Sequence, residues 1–119
     1  MSLFALEPPA DLPPGPFLSV FVVHEILDAA KYAAYQQISD GQSLKPRHFG
    51  GDVVGFAKPP INFAVADSAV AVAVIKWPDF DSYRRWRGQP IYQQPGVPEL
   101  HAAAERESVY FIPISTAIG

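Results

Sequence analysis

Cysteine is absent from the sequence, and methionine occurs once. The first absence excludes disulfides, a thiolate nucleophile and thiolate metal ligation. Basic charge is in short supply: nine Lys and Arg face twelve Asp and Glu, for a net charge of −3. Nucleic-acid binding needs cations that displace phosphate counterions, so that class of partner is not expected. Long apolar runs are missing too. The longest covers residues 69–75, which suits one buried strand and falls far short of the ~20 residues that cross a bilayer. Residues 1–16 have neither a basic start nor a continuous apolar stretch, unlike a signal peptide. These readings predict a cytoplasmic protein with no membrane partner. There is no phosphate-cradling glycine loop, no metalloprotease helix motif and no nucleophile elbow, and Ser115 has no supporting context.

Proline, aromatic residues and a high apolar share are what the chain does contain. Pro8, Pro9, Pro13, Pro14 and Pro16 crowd the first sixteen residues and favour extended backbone with few amide donors. Residues 1–16 are therefore expected to be an arm, loose or laid against a partner subunit, ahead of a single domain over residues 17–119. Of the 119 residues 49% are hydrophobic and 18% charged. A body this small has proportionally more surface to cover with polar groups, so the apolar excess points to a subunit interface.

Residues 17–24 (FLSVFVVH) are β-branched and aromatic and predict the first strand. Asp28 caps a helix running to about Leu44, with Tyr32 and Tyr35 on one side, and Pro46 ends it. Gly50 and Gly51 turn the chain into a strand over residues 52–57. A loop over residues 58–68 leads to a continuous apolar strand, residues 69–77, which belongs in the sheet centre. Asp79 caps a second helix carrying Phe80, Tyr83 and Trp86, and Gly88 stops it. A short turn at residues 91–94 precedes another helix opened by Pro98. The last strand is expected over residues 108–115, with Pro113 at a sheet edge. The order β-α-β-β-α-β, with an added helix before the final strand, defines an α+β, ferredoxin-like fold with an antiparallel sheet. Helices cover one face of such a sheet. Covering the other most simply takes a twofold copy, which predicts a homodimer of the dimeric α+β barrel kind.

Several short motifs resemble the domain of unknown function 1330 family within the dimeric α+β barrel superfamily, over residues 17–114. They are the paired Tyr32 and Tyr35, the Phe49-Gly50-Gly51 turn, the segment from Trp86 through Gly88, Pro90, Tyr92 and Gln93, and the alanine-rich stretch from Ala102 to Glu105. Gln89 stands where that family commonly has serine, and Arg87 where it commonly has a second aromatic. The resemblance implies the fold and a dimer. Relatives in the superfamily include small monooxygenases, isomerases, haem-handling proteins and stress-related dimers, and the fold does not choose among them.

The strongest constellation is aromatic. Tyr35, Trp86 and Tyr92 each join an apolar body to a polar tip and are the expected ligand-binding residues of a pocket between helices and sheet. Ordinary core is the competing role for all of these helical aromatics. His48, His101 and Tyr35 are the candidate catalytic residues, as groups able to hold or move a proton. His48 sits in a turn with no local acid. His101 has Glu105 at i, i+4 but no third ligand nearby, and histidines scattered at 24, 48 and 101 predict no metal site. His24 and Glu25 are adjacent in a strand and face opposite sides while it is extended. Arg84, Arg85 and Arg87 form a basic run that reads either as a solvated helix face or as an attractor for carboxylate or phosphate. The resulting expectation is a homodimer that binds a small molecule and acts, if catalytic, on a small apolar or aromatic compound without a cofactor. A monooxygenase-like enzyme and a non-catalytic interaction dimer are the alternatives.

Overall fold

Alternation along one strand sets the architecture. In β1 (Phe17–Ile26), Phe17, Ser19, Phe21 and Val23 are buried, while Leu18, Val20, Val22 and His24 between them are half-buried. A period of two means one face meets a core and the other does not. The structure, a computed structural model, describes residues 6–40, 45–61 and 69–114. The expected helix end at residues 41–44, most of the 58–68 loop and Ser115 lie outside the described residues.

After β1 come α1 (Ala29–Asp40), a 3₁₀ turn (Pro46–Phe49), β2 (Asp52–Ala57) and β3 (Ala71–Trp77). They are followed by α2 (Phe80–Arg87), α3 (Pro90–Gln93), α4 (Val97–Ala104) and β4 (Glu105–Pro113). The strands form one four-stranded sheet in the order β2-β3-β1-β4, and every neighbouring pair is antiparallel. This is the α+β, ferredoxin-like arrangement. No helix among the described residues is long and apolar enough to cross a membrane.

α1 and α2 start where a side chain satisfies one of their first amides. The Lys31 amide donates to Asp28 Oδ1 at 3.0 Å, and the Ser82 amide to Asp79 Oδ1 at 2.8 Å. At the turn into β2, Gly50 adopts φ 92°, a left-handed conformation that favours glycine. A Cβ on the neighbouring Gly51 would lie 2.8 Å from the Trp77 ring, so this turn also needs the smallest residue for close approach.

The core is an aromatic cluster between the sheet and α2: Phe17, Phe21, Ile75, Trp77, Tyr83 and Trp86. Within it Trp77 Nε1 donates to Ser19 Oγ at 2.9 Å. The proline-rich arm touches this cluster through Leu12, which packs on it within the same chain.

β3 begins at Ala71, two residues later than expected, and Pro90–Gln93 is a short helix where a turn was expected. Three further features depart from the sequence expectation. β1 extends to Ile26, past His24. β4 begins at Glu105 rather than Ser108, because Glu105 is already extended (φ −153°, ψ 156°) while its amide still caps α4 through the His101 carbonyl. Helix thus becomes strand at a single residue. The third departure is a pair of β-bulges. One lies between Val53 and Gly55, so Val53 pairs with Ile75 and Phe56 with Ala73, both on the helix-covered face. The other lies between Val23 and Glu25. There His24 Nε2 meets Ser108 Oγ at 2.7 Å, and Glu25 approaches Arg106 at 3.7 Å. Ser108 and Arg106 share the open face, so His24 and Glu25 do as well, contrary to simple alternation.

Candidate functional site

The helix-covered face does not close completely. Between α1, the sheet and the α2–α3 corner lies a cavity of about 300 Å³. Its floor is Phe21, Val23, Ala71 and Ile75, and the bulge in β2 brings Val53 and Phe56 to its rim. Tyr32, Tyr35 and Gln36 project from one side of α1, as residues at i, i+3 and i+4 must. The opposite wall is Trp86, Arg87 and Tyr92. Two side-chain amides hold that wall: Gln89 Nε2 donates to the Trp86 carbonyl at 2.9 Å, and Gln93 Nε2 to the Arg87 carbonyl at 2.8 Å. They satisfy carbonyls that the end of α2 would otherwise leave open. Gln89 therefore has a structural role.

Glu105 and Glu107 also line the cavity. They face the same way because β4 has already begun and its side chains alternate. Behind them lies His101, whose Nε2 is 3.2 Å from Glu105 Oε1 and 3.2 Å from Glu107 Oε1. Its ring sits 4.7 Å from that of Tyr35. Burial pulls the imidazole toward its neutral form, but hydrogen bonds and charge from the two carboxylates outweigh this and raise its pKa to about 9. At neutral pH it is an imidazolium, shared by two carboxylates. Burial also pushes the Tyr35 hydroxyl well above the ordinary tyrosine range, with Arg87 opposing and Glu107 reinforcing the rise. Tyr35 is therefore a neutral hydroxyl facing the cavity, suited to donating a hydrogen bond and not to acting as a base.

Several buried polar atoms here have no hydrogen-bond partner among the described residues: Trp86 Nε1, Arg87 Nε and Nη1, and Glu105 Oε2. Buried polar groups are ordinarily paired, and each unpaired one calls for an explanation. The Arg87 guanidinium is stacked, with Cζ 3.7 Å from the Trp86 ring centre, 4.8 Å from that of Tyr92 and 5.5 Å from that of Phe21. Stacking serves the faces of the guanidinium and leaves its in-plane N–H groups to find other acceptors.

The structure thus brings Tyr35, Trp86 and Tyr92 together on one cavity. The candidate histidines do not meet. His48 lies on the exposed 3₁₀ turn, where its Nδ1 accepts the Lys45 amide at 2.8 Å. His24 is on the open sheet face, and only His101 stands beside the cavity lining. Sequence spacing supplied His101 with Glu105 alone; the early start of β4 adds Glu107. The ligand atoms of His101, Glu105 and Glu107 lie within 4.8 Å of one another, close enough to hold a cation. A metal would have to displace the proton that His101 shares with both carboxylates, and Arg87 adds positive charge nearby. The basic run divides: Arg84 and Arg85 are exposed and pair with Asp81 at 2.6 and 3.2 Å, whereas Arg87 is buried.

No family model matches the chain, and no curated protein does. Among solved structures it is similar to RPA0582, a protein of unknown function from Rhodopseudomonas palustris. That structure is 16% identical, covers 92% of this chain and 97% of its own, and superposes with a TM-score of 0.60. The methylated form of RPA0582 is 19% identical over 94% of this chain and 96% of that one, with a TM-score of 0.62. SnoaB, a cofactor-independent oxygenase from Streptomyces nogalater, is 19% identical over 87% of this chain and 94% of that one, but with a TM-score of only 0.42. The likeness to RPA0582 shows the α+β, ferredoxin-like fold and nothing of the activity.

Proposed function

We propose that the protein is a homodimer in which each subunit binds a small, planar, mostly apolar organic molecule in the cavity between sheet and helices, and moves a proton on it without a cofactor. One observation carries this reading: Trp86 Nε1, Arg87 Nε and Nη1, and Glu105 Oε2, all buried and unpaired among the described residues, belong to residues lining one cavity. Cavities that bind small molecules are mostly apolar with a few convergent polar groups. In the proposed chemistry Glu105 takes a proton from the bound molecule through Oε2, the imidazolium of His101 holds the carboxylate in place, and the Tyr35 hydroxyl donates a hydrogen bond to the oxygen on which charge develops. His101 is here a positioning residue.

Support for the dimer comes from the open sheet face. Val74, Val20 and Tyr110 lie side by side across it, next to Val72 and Val22 and to Leu18 and Ile112. Tyr110 is 53% exposed and Ile112 48%. Contiguous apolar surface of this kind on a small domain marks an interaction site, and a twofold partner would cover it with the same face.

A thermal-shift screen with small aromatic compounds tests the pocket. At least one compound should raise the melting temperature. Trp86→Phe removes the indole donor and keeps an aromatic face, and should weaken that compound by roughly 1 kcal/mol in calorimetry. A screen in which nothing stabilises the protein, or a variant that binds as tightly as the parent, contradicts the reading.

A further inference from the structure

The chain carries more negative than positive charge, yet three of its nine Lys and Arg residues line this one cavity: Lys45, Lys58 and Arg87. The two lining carboxylates, Glu105 and Glu107, each give Oε1 to His101, and none of their oxygens pairs with Arg87 among the described residues. Arg87 is the exception in its surroundings. It is only 6% exposed, forms no ion pair among the described residues, and leaves Nε and Nη1 without an acceptor there. Its contacts are the ring faces of Trp86, Tyr92 and Phe21 and the Tyr83 hydroxyl. A guanidinium removed from water without an anion is costly, and an anionic ligand in the cavity would supply the missing acceptor.

We propose that the cavity selects an aromatic or planar apolar carboxylate, with the carboxylate received by the Arg87 guanidinium at the inner wall and the apolar body lying between Tyr35 and the sheet floor. Lys45 and Lys58 sit where they raise the local concentration of such an anion. A phosphate is a poorer match. It asks for the many converging donors that a glycine loop or amide nest supplies, whereas the cavity floor is Phe21, Val23, Ala71 and Ile75. The inference rests on the pocket proposed above and adds the charge of its ligand.

The test is isothermal calorimetry on the full chain with benzoate, phenylacetate and 2-naphthoate, each beside its neutral amide. At least one acid should bind about tenfold more tightly than its amide. Arg87→Gln should remove that preference, lowering acid affinity about tenfold more than amide affinity, and Arg87→Lys should retain part of it, because charge survives but the planar donor array does not. Circular dichroism checks that the variants fold. If Arg87→Gln does not fold, the acid-to-amide ratio in the unaltered protein decides alone. Equal affinity for acid and amide overturns the carboxylate inference and leaves the pocket standing. Failure of every acid and every amide to bind at millimolar concentration overturns both.

Discussion

His101 is the residue whose chemistry is most displaced from its ordinary state. Its imidazole is largely buried, yet Glu105 and Glu107 keep it protonated up to about pH 9, against 6.5 for the free group. A pKa raised by folding stabilises the folded state while the group is charged there. The contribution is fully present below pH 6.5 and is lost as the pH rises through about 9. Melting temperature should therefore fall across that window, and His101→Gln should flatten the fall. An unchanged slope in the variant would show that the ion pair contributes nothing. The partnership of His101 with Glu105 is visible in sequence as i, i+4 spacing, but Glu107 enters only because helix passes into strand without a loop. Arg87 was legible in principle. It falls at i+4 from Tyr83 on the helix face that also holds Trp86, but its place in a run with Arg84 and Arg85 suggested a solvated position. Its burial depends on aromatic partners from β1 and α3, Phe21 and Tyr92, which are remote in sequence or follow the helix break.

Among the elements, the turn between the 3₁₀ segment and β2 has little tolerance of change. Gly51 leaves no space for a Cβ: the Trp77 ring lies 2.8 Å from where it would sit, and Pro46 3.1 Å away. Trp77 is fully buried and cannot retreat. Gly51→Ala should destabilise the protein by about 1–3 kcal/mol, as overpacking does, read by chemical denaturation. A cost near zero would mean that the turn shifts freely. Elements of this sheet were legible where local chemistry is strong: Asp79 as a cap, Gly50-Gly51 as a turn, β2 over residues 52–57. The bulges were not. Each depends on how one strand registers against another, at Ile75 to Val74 for β2 and at Glu107 to Arg106 for β1, and no single strand encodes its partner's register. The β2 bulge matters to the site, because Val53 and Phe56 reach one rim only through the extra residue between them.

At the scale of the whole molecule, one sheet carries two different surfaces. The helix side encloses the cavity; the other side presents Leu18, Val20, Val22, Val72, Val74, Tyr110 and Ile112. Light scattering at micromolar concentration should report twice the 13.0 kDa chain mass, and Val20→Lys, which places a charge in the centre of the open face, should give the single-chain mass. A parent protein of single-chain mass would remove the dimer. The order of elements, β-α-β-β-α-β, made the two-faced sheet readable from sequence, since it puts the helices on one side. A pocket between helices and sheet was expected from its aromatic residues, but its extent and its charged lining were not readable, because the cavity is the space left where α1, the end of α2 and the first residues of β4 fail to meet. Backbone and indole NMR shifts during titration with the best-binding acid test the central claim most directly. The account predicts that the largest shifts fall at the Trp86 indole, Tyr35, Arg87 and Tyr92, with Val20 and Tyr110 unmoved. Shifts centred on the open face, or none at Trp86 under saturating ligand, would contradict it.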